Sequence, residues 1–229
     1  MRIGIFSNIN GDYDKLKNSV DELVSRDVEG VFCLGNLISR FDFVNTYNQI
    51  DALLGIDEKS LEFRLDDASK KCIDYIRIGI GSDVKSVFLF KGQNEDEFIK
   101  HIFKIGKNQD PYAKSISDYL SFIIDSNFAL CGGSFRAESS SEGHLEKTLN
   151  LFNQLKHLNK NLNLVFSGQL DNQGVYIIDK FESFYSAKNK ILIKNDGNNY
   201  VVYPSSERGG YAVFDFKGPK EVSEVSLFR

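Results

Sequence analysis

The sequence predicts an α/β fold in which two mixed sheets pack face to face and helices cover both outer faces. Three observations carry that prediction. Apolar runs at residues 2–6 and 30–34 flank an amphipathic stretch, which is a βαβ opening. Helical and strand patterns then alternate as far as residue 166, and beyond residue 171 the period changes to two. Alternating elements followed by a β meander fit two sheets packed face to face with helices outside.

The first helix is expected over residues 13–26, where Leu16, Val20, Leu23 and Val24 recur at three- and four-residue spacing. Phe43, Val44, Tyr47, Ile50, Leu53 and Leu54 predict a second helix ending near Gly55, and Leu61, Leu65, Cys72, Ile73 and Ile76 a third within residues 57–80. A strand at 86–91 leads into a helix at 96–104, which Asp110-Pro111 ends. Ile116, Tyr119, Leu120 and Ile123 predict a helix over 113–125, followed by a strand at 128–131 and a polar, Ser-rich surface loop at 134–142. Leu145, Leu149, Phe152 and Leu155 mark a helix to residue 158, and 162–166 reads as a buried strand. Short strands are expected at 174–179, 182–186, 190–194, 200–203, 210–216 and 222–228, with Asp196-Gly197 and Gly209-Gly210 as turns. All 229 residues read as one domain, with no linker, internal repeat or phosphate-binding glycine loop.

Composition narrows the partners. A net charge of −4 gives no pull toward nucleic acid or an anionic membrane, and no apolar run approaches a membrane span. Neither is expected to be a partner. Cys33, Cys72 and Cys131 sit in apolar or helical stretches without metal-type spacing, and an odd number argues against a disulfide framework. A reducing, cytoplasmic setting is the expectation.

In a βαβ unit the two turns that follow the strands emerge at the same carboxyl edge, where open α/β sheets keep their ligand sites. Here those turns are Ser7-Asn8-Ile9-Asn10-Gly11-Asp12 and Leu34-Gly35-Asn36-Leu37. Three later turns each follow a strand: Gly92-Gln93-Asn94-Glu95, Cys131-Gly132-Gly133 and Gly168-Gln169-Leu170-Asp171. In order and spacing the five turns resemble the motifs of the calcineurin-like metallophosphoesterases. The resemblance covers nearly the whole chain and implies a four-layer α/β/β/α sandwich.

It also implies which positions would carry chemistry, and there the chain departs from the family. Asn8 and Asn10 stand where the family has Asp and His, and Asn36 where it has a metal-bridging Asp. Gln93 replaces an Asn ligand, Asn94 the catalytic His, Gly132 a His, and Gln169 a further His; a register one residue earlier would place Cys131 at the fourth motif. Only Asp171 keeps a carboxylate at a ligand position. The family's chemistry uses two metal ions to polarise a phosphoester and generate hydroxide, and such ions need carboxylate and imidazole ligands at about 2.0–2.2 Å. Neutral amides compensate metal charge badly. Glu95, Asp96 and Asp12 lie on the same edge and offer oxygen ligands for a single hard cation. His101, His144 and His157 fall on expected helices, away from every motif turn, and read as surface residues.

The expected function is therefore that of a non-catalytic, metallophosphoesterase-like protein with no cofactor, acting on a protein partner or a small polar ligand. The vestigial pocket comprises Asn8, Asn10, Asn36, Gln93, Asn94, Gly132, Gln169 and Asp171. The alternative is a phosphodiesterase or phosphatase with an atypical, carboxylate-poor site built on Asp171 and Glu95, using Mn²⁺ or Mg²⁺. Two surfaces are candidates for a partner. One is a helical insertion at about 57–80, longer than the family frame requires; the other is the aromatic patch Phe181, Phe184 and Tyr185.

Overall fold

Period-two burial places the first sheet between two cores. On β2 (Gly30–Cys33), Val31 and Cys33 face a helical layer, while Phe32 and the following Leu34 face the other sheet. Ile3 and Ile5 of β1 (Arg2–Phe6) share the inter-sheet side. A computed structural model describes residues 1–39, 65–79, 84, 86–104, 110–132, 144–168, 173–178, 182–184, 190–193, 197–205, 210–219 and 221–228.

Helix α1 (Tyr13–Val24) starts where Asp12 caps it, its carboxylate accepting from the Lys15 backbone N–H at 2.9 Å. It buries Leu16, Val20 and Leu23, each contributing about 1.5–3 kcal/mol by removal from water. A Cβ built on Gly4 would lie 2.6 Å from Leu23 Cδ2, so the absence of a side chain there lets the helix sit close on β1. Helix α2 (Asp67–Asp74), capped by Asp66, runs into a π-helical turn, Tyr75–Gly79. Cys72 and Ile73 are fully buried in the core shared with α1, and Tyr13 meets Tyr75 edge-on at 5.4 Å. The described part of the 57–80 segment thus presents core-facing residues, while 57–64 and the helix expected from Phe43 to Leu54 lie outside the described residues.

Strand β3 (Ser86–Leu89) leads to α3 (Gln93–Lys104), which begins three residues earlier than its apolar pattern alone predicts. The helix expected over 113–125 is corrected. Helix α4 (Pro111–Ser117), capped by Asp110, stops, and Phe122–Asp125 forms strand β4. Antiparallel pairing with β5 (Phe128–Cys131), Phe122 opposite Cys131, recruits the β-branched Ile123 and Ile124 into a sheet. The remaining elements are α5 (His144–Leu158), β6 (Leu164–Ser167), β7 (Gly174–Ile177), β8 (Glu182–Phe184), β9 (Lys190–Ile193), β10 (Tyr200–Tyr203), β11 (Tyr211–Asp215) and β12 (Ser223–Phe228). The Ser-rich segment 134–142 lies outside the described residues, as do Phe181 and Tyr185 of the aromatic patch.

The strands form two six-stranded mixed sheets, ordered β3-β2-β1-β11-β12-β9 and β4-β5-β6-β10-β7-β8. One core lies between the sheets, around Phe32, Phe90, Phe128, Phe166 and Phe214. A second lies under α1 to α4, and a third joins Leu151, Phe152 and Leu155 of α5 to Val165, Val201 and Tyr203. The layers are α/β/β/α. Because β1, β2 and β3 are parallel, and β5 is parallel to β6, each set delivers its turns to one carboxyl edge. Among the described residues no helix is long and apolar enough to cross a membrane.

Candidate functional site

The motif turns of the two sheets meet by backbone contact that only glycine permits. A Cβ on Gly92 would fall 2.1 Å from the Asn36 nitrogen, one on Gly132 2.1 Å from the Lys91 carbonyl oxygen, and one on Gly168 1.9 Å from the Leu34 carbonyl oxygen. The last two approaches cross from the second sheet to the first. They draw the turns after β2, β3, β5 and β6 into one cluster.

Within that cluster Asn8, Asn10 and Asn36 all adopt the left-handed conformation, with φ of 57°, 56° and 52°. Asparagine tolerates this region better than other side-chain-bearing residues do. The turns are laced together by backbone bonds from Asn8 N–H to Gly35 O, Asn10 N–H to Asn36 O, and Gly11 N–H to Leu37 O, at 2.7–3.1 Å. Their side chains then bond to one another. Asn36 Nδ2 donates to Asn8 Oδ1 at 2.9 Å, and Asn36 Oδ1 accepts from the Asn94 backbone N–H at 3.2 Å. Asn94 Nδ2 donates to Asn10 Oδ1 at 3.1 Å and to Ile38 O at 2.9 Å. Asn8 and Asn94 are buried by this network, Asn36 is half-buried and Asn10 is exposed.

Four of the eight residues singled out in the sequence are thus brought together. Gln93 turns along its helix, Nε2 donating to Glu97 at 2.7 Å, and Gly132 contributes backbone alone. Cys131 points away from the cluster. Its thiol is buried in the outer core with Sγ 3.3 Å from Phe166 O, and burial pushes its pKa up to about 12. Gln169 and Asp171 lie outside the described residues.

Glu95 has a role that the sequence reading missed. Its carboxylate is fully buried and accepts four backbone N–H groups: Leu37 at 2.6 Å and Ile38 at 3.0 Å on Oε1, Asn36 at 2.8 Å and Gly92 at 2.7 Å on Oε2. Burial pushes its pKa up, opposed by the backbone donors. The four backbone donors, at 2.6–3.0 Å, favour the ionised form against that burial. The bond to Gly92 is half of a capping box, an acid at the third helical position reaching back to the N-cap N–H. Gly-x-x-Glu ahead of an apolar run was the available signal.

Among the described residues the donors at these turns do not fit a divalent metal pair. Glu95 is spent on the backbone, Asp12 on capping α1, and Asn8, Asn10, Asn36 and Asn94 are neutral amides bonded to each other. The Lys15 ammonium donates to the Asn8 carbonyl, placing a fixed cation at the same turn. Among the described residues no group of three or more His, Cys, Asp or Glu is arranged to hold a metal. His101, expected at the surface, is instead 6% exposed, because α3 presents it inward; His157 is exposed and the His144 side chain lies outside the described residues.

No family model matches the sequence, and no curated protein matches it. Solved structures do. A metallophosphoesterase from Sphaerobacter thermophilus superposes with a TM-score of 0.61 at 13% identity, covering 100% of this chain and 88% of that one. A hypothetical protein from Pyrococcus horikoshii OT3 gives 0.55 at 14% identity, covering 100% and 87%. The fold is that of the metallophosphoesterases, as the spacing of the five turns implies.

Proposed function

We propose that this chain, a single domain with the metallophosphoesterase fold, is catalytically inactive and works by binding, with a protein as its partner. The observation that supports this reading is the set of amide bonds among Asn8, Asn36, Asn94 and Asn10, at turns where the family resemblance calls for aspartate and histidine. Two-metal hydrolysis needs anionic and imidazole donors that are free to coordinate. These amides satisfy each other instead, and the nearby carboxylate holds the backbone.

The same bonding argues for a protein over a small polar ligand at the pocket, since the buried amides already have partners. Exposed apolar side chains support a protein surface. Leu192 on the edge strand β9 is 51% exposed and Val222 is 44% exposed. Leu192 is opposite Glu224, and Val222 immediately precedes β12. A small ligand would use the rim of Asn10, Asn36 and Gln93, and Asn10→Phe would block it while leaving the β9 surface intact.

The test is turnover of bis(p-nitrophenyl) phosphate with millimolar Mn²⁺. The expected result is a rate equal to the protein-free blank. Metal-dependent turnover that disappears in Asp171→Ala would overturn the proposal in favour of a carboxylate-poor phosphoesterase.

A further inference from the structure

The edge of the second sheet opposite the motif turns carries a feature that the proposed function does not use. Strands β5, β6 and β10 are parallel neighbours, and Phe128, Leu164 and Tyr200 are in register across them. Each is preceded by an asparagine: Asn127, Asn163 and Asn199. The three therefore stand in a row at the amino edge of the sheet. Together with Ser126, Lys156 and Lys160 they line a cavity of about 580 Å³, within the usual range for small-molecule sites.

The row is held in place from below. The N–H groups of Asn163 and Leu164 both donate to Asn127 O, at 2.9 and 3.2 Å, and the Tyr200 N–H donates to Asn163 O at 2.8 Å. Asn127 Nδ2 donates to Asn163 Oδ1 at 3.0 Å. The Lys156 ammonium donates to the Leu162 carbonyl and to Asn199 Oδ1, the latter at 3.3 Å. Asn127 Oδ1 is buried without a hydrogen-bond partner. Among its described lining residues the cavity has two ammonium groups and no carboxylate.

We infer that this cavity binds a small phosphorylated polyol, such as a sugar phosphate, with Lys156 and Lys160 at the anionic group and the amide row at the hydroxyls. Two cations in a concave site without a counter-charge among its described lining residues favour an anion, and lysine serves phosphate as a point charge. Amides both donate and accept, which suits hydroxyl groups, whereas covering them with an apolar ligand would cost their hydration.

The test is calorimetric titration of the full chain with glucose 6-phosphate, with inorganic phosphate and glucose as controls. The sugar phosphate is expected to saturate, phosphate to bind more weakly, and glucose to give no measurable heat. Lys160→Gln, at an exposed position, should leave the melting temperature unchanged and weaken the sugar phosphate about fivefold or more; Lys156→Gln should weaken it as well. No saturation by about 10 mM overturns the site, as does an affinity unchanged in both variants. Phosphate binding as tightly as the sugar phosphate overturns the role given to the amide row. This titration does not depend on whether the motif edge is catalytic.

Discussion

Replacing Glu95 by Gln isolates the interaction that holds the motif turns. The side chain keeps its shape but exchanges one acceptor oxygen for an NH₂ group. One oxygen can still take two N–H groups, while the NH₂ must face the other two, either Leu37 and Ile38 or Asn36 and Gly92. Each buried donor left unsatisfied costs about 1–3 kcal/mol, and removing the charge recovers part of the desolvation cost. The net loss is expected to be about 2–4 kcal/mol of unfolding free energy. With a urea m-value of about 2–3 kcal/mol/M, the midpoint should fall by about 1 M. Urea unfolding followed by circular dichroism reads this directly. An unchanged or raised midpoint would show that the ionised clamp does not hold the turns and would refute the role assigned to Glu95.

Further outcomes follow from the same contacts. Gly168→Ala drives a Cβ to 1.9 Å from the Leu34 carbonyl oxygen and should lower stability by about 3 kcal/mol or more, whereas Gly197→Ala, with φ of 89° and open space around it, should cost only about 1 kcal/mol. Paired thermal melts compare the two, and similar losses would contradict the backbone contact between the sheets. Burial raises the Cys131 thiol from its ordinary value of 9.0 to about 12, so its stabilising term is complete below pH 9 and is lost as pH rises toward 12. At about 1.4 kcal/mol per pH unit the loss reaches about 4 kcal/mol. Cys131→Ala should flatten the decline in unfolding free energy over that range, and an unchanged slope would count against a buried thiol.

The fold was legible wherever local pattern and tertiary environment agree. Leu16, Val20 and Leu23 mark α1, and the alternation through Val31, Phe32, Cys33 and Leu34 marks a strand buried on both faces. Residues 119–125 misled, because Tyr119, Leu120 and Ile123 keep helical spacing while the partner that makes Phe122–Asp125 a strand is β5, visible only after folding. His101 misled in a similar way: its helix was expected, but not that a polar side chain would face the core. At the site, the turns and their convergence were legible from spacing. That Asn8, Asn36, Asn94 and Asn10 bond to one another was not, since it depends on left-handed backbone at three of them and on glycines that let the turns touch. The row of Asn127, Asn163 and Asn199 was present as an asparagine ahead of each of three apolar runs, but its meaning needed the strand register.

With its amides bonded to each other and Glu95 held by the backbone, the motif edge is proposed not to coordinate divalent metal. Calorimetric titration of metal-stripped protein with Mn²⁺, with Mg²⁺ and Zn²⁺ as controls, decides this. No stoichiometric binding heat is expected at millimolar metal. Tight, stoichiometric binding that is lost in Asp171→Ala would overturn the proposal in favour of a metal-dependent phosphoesterase.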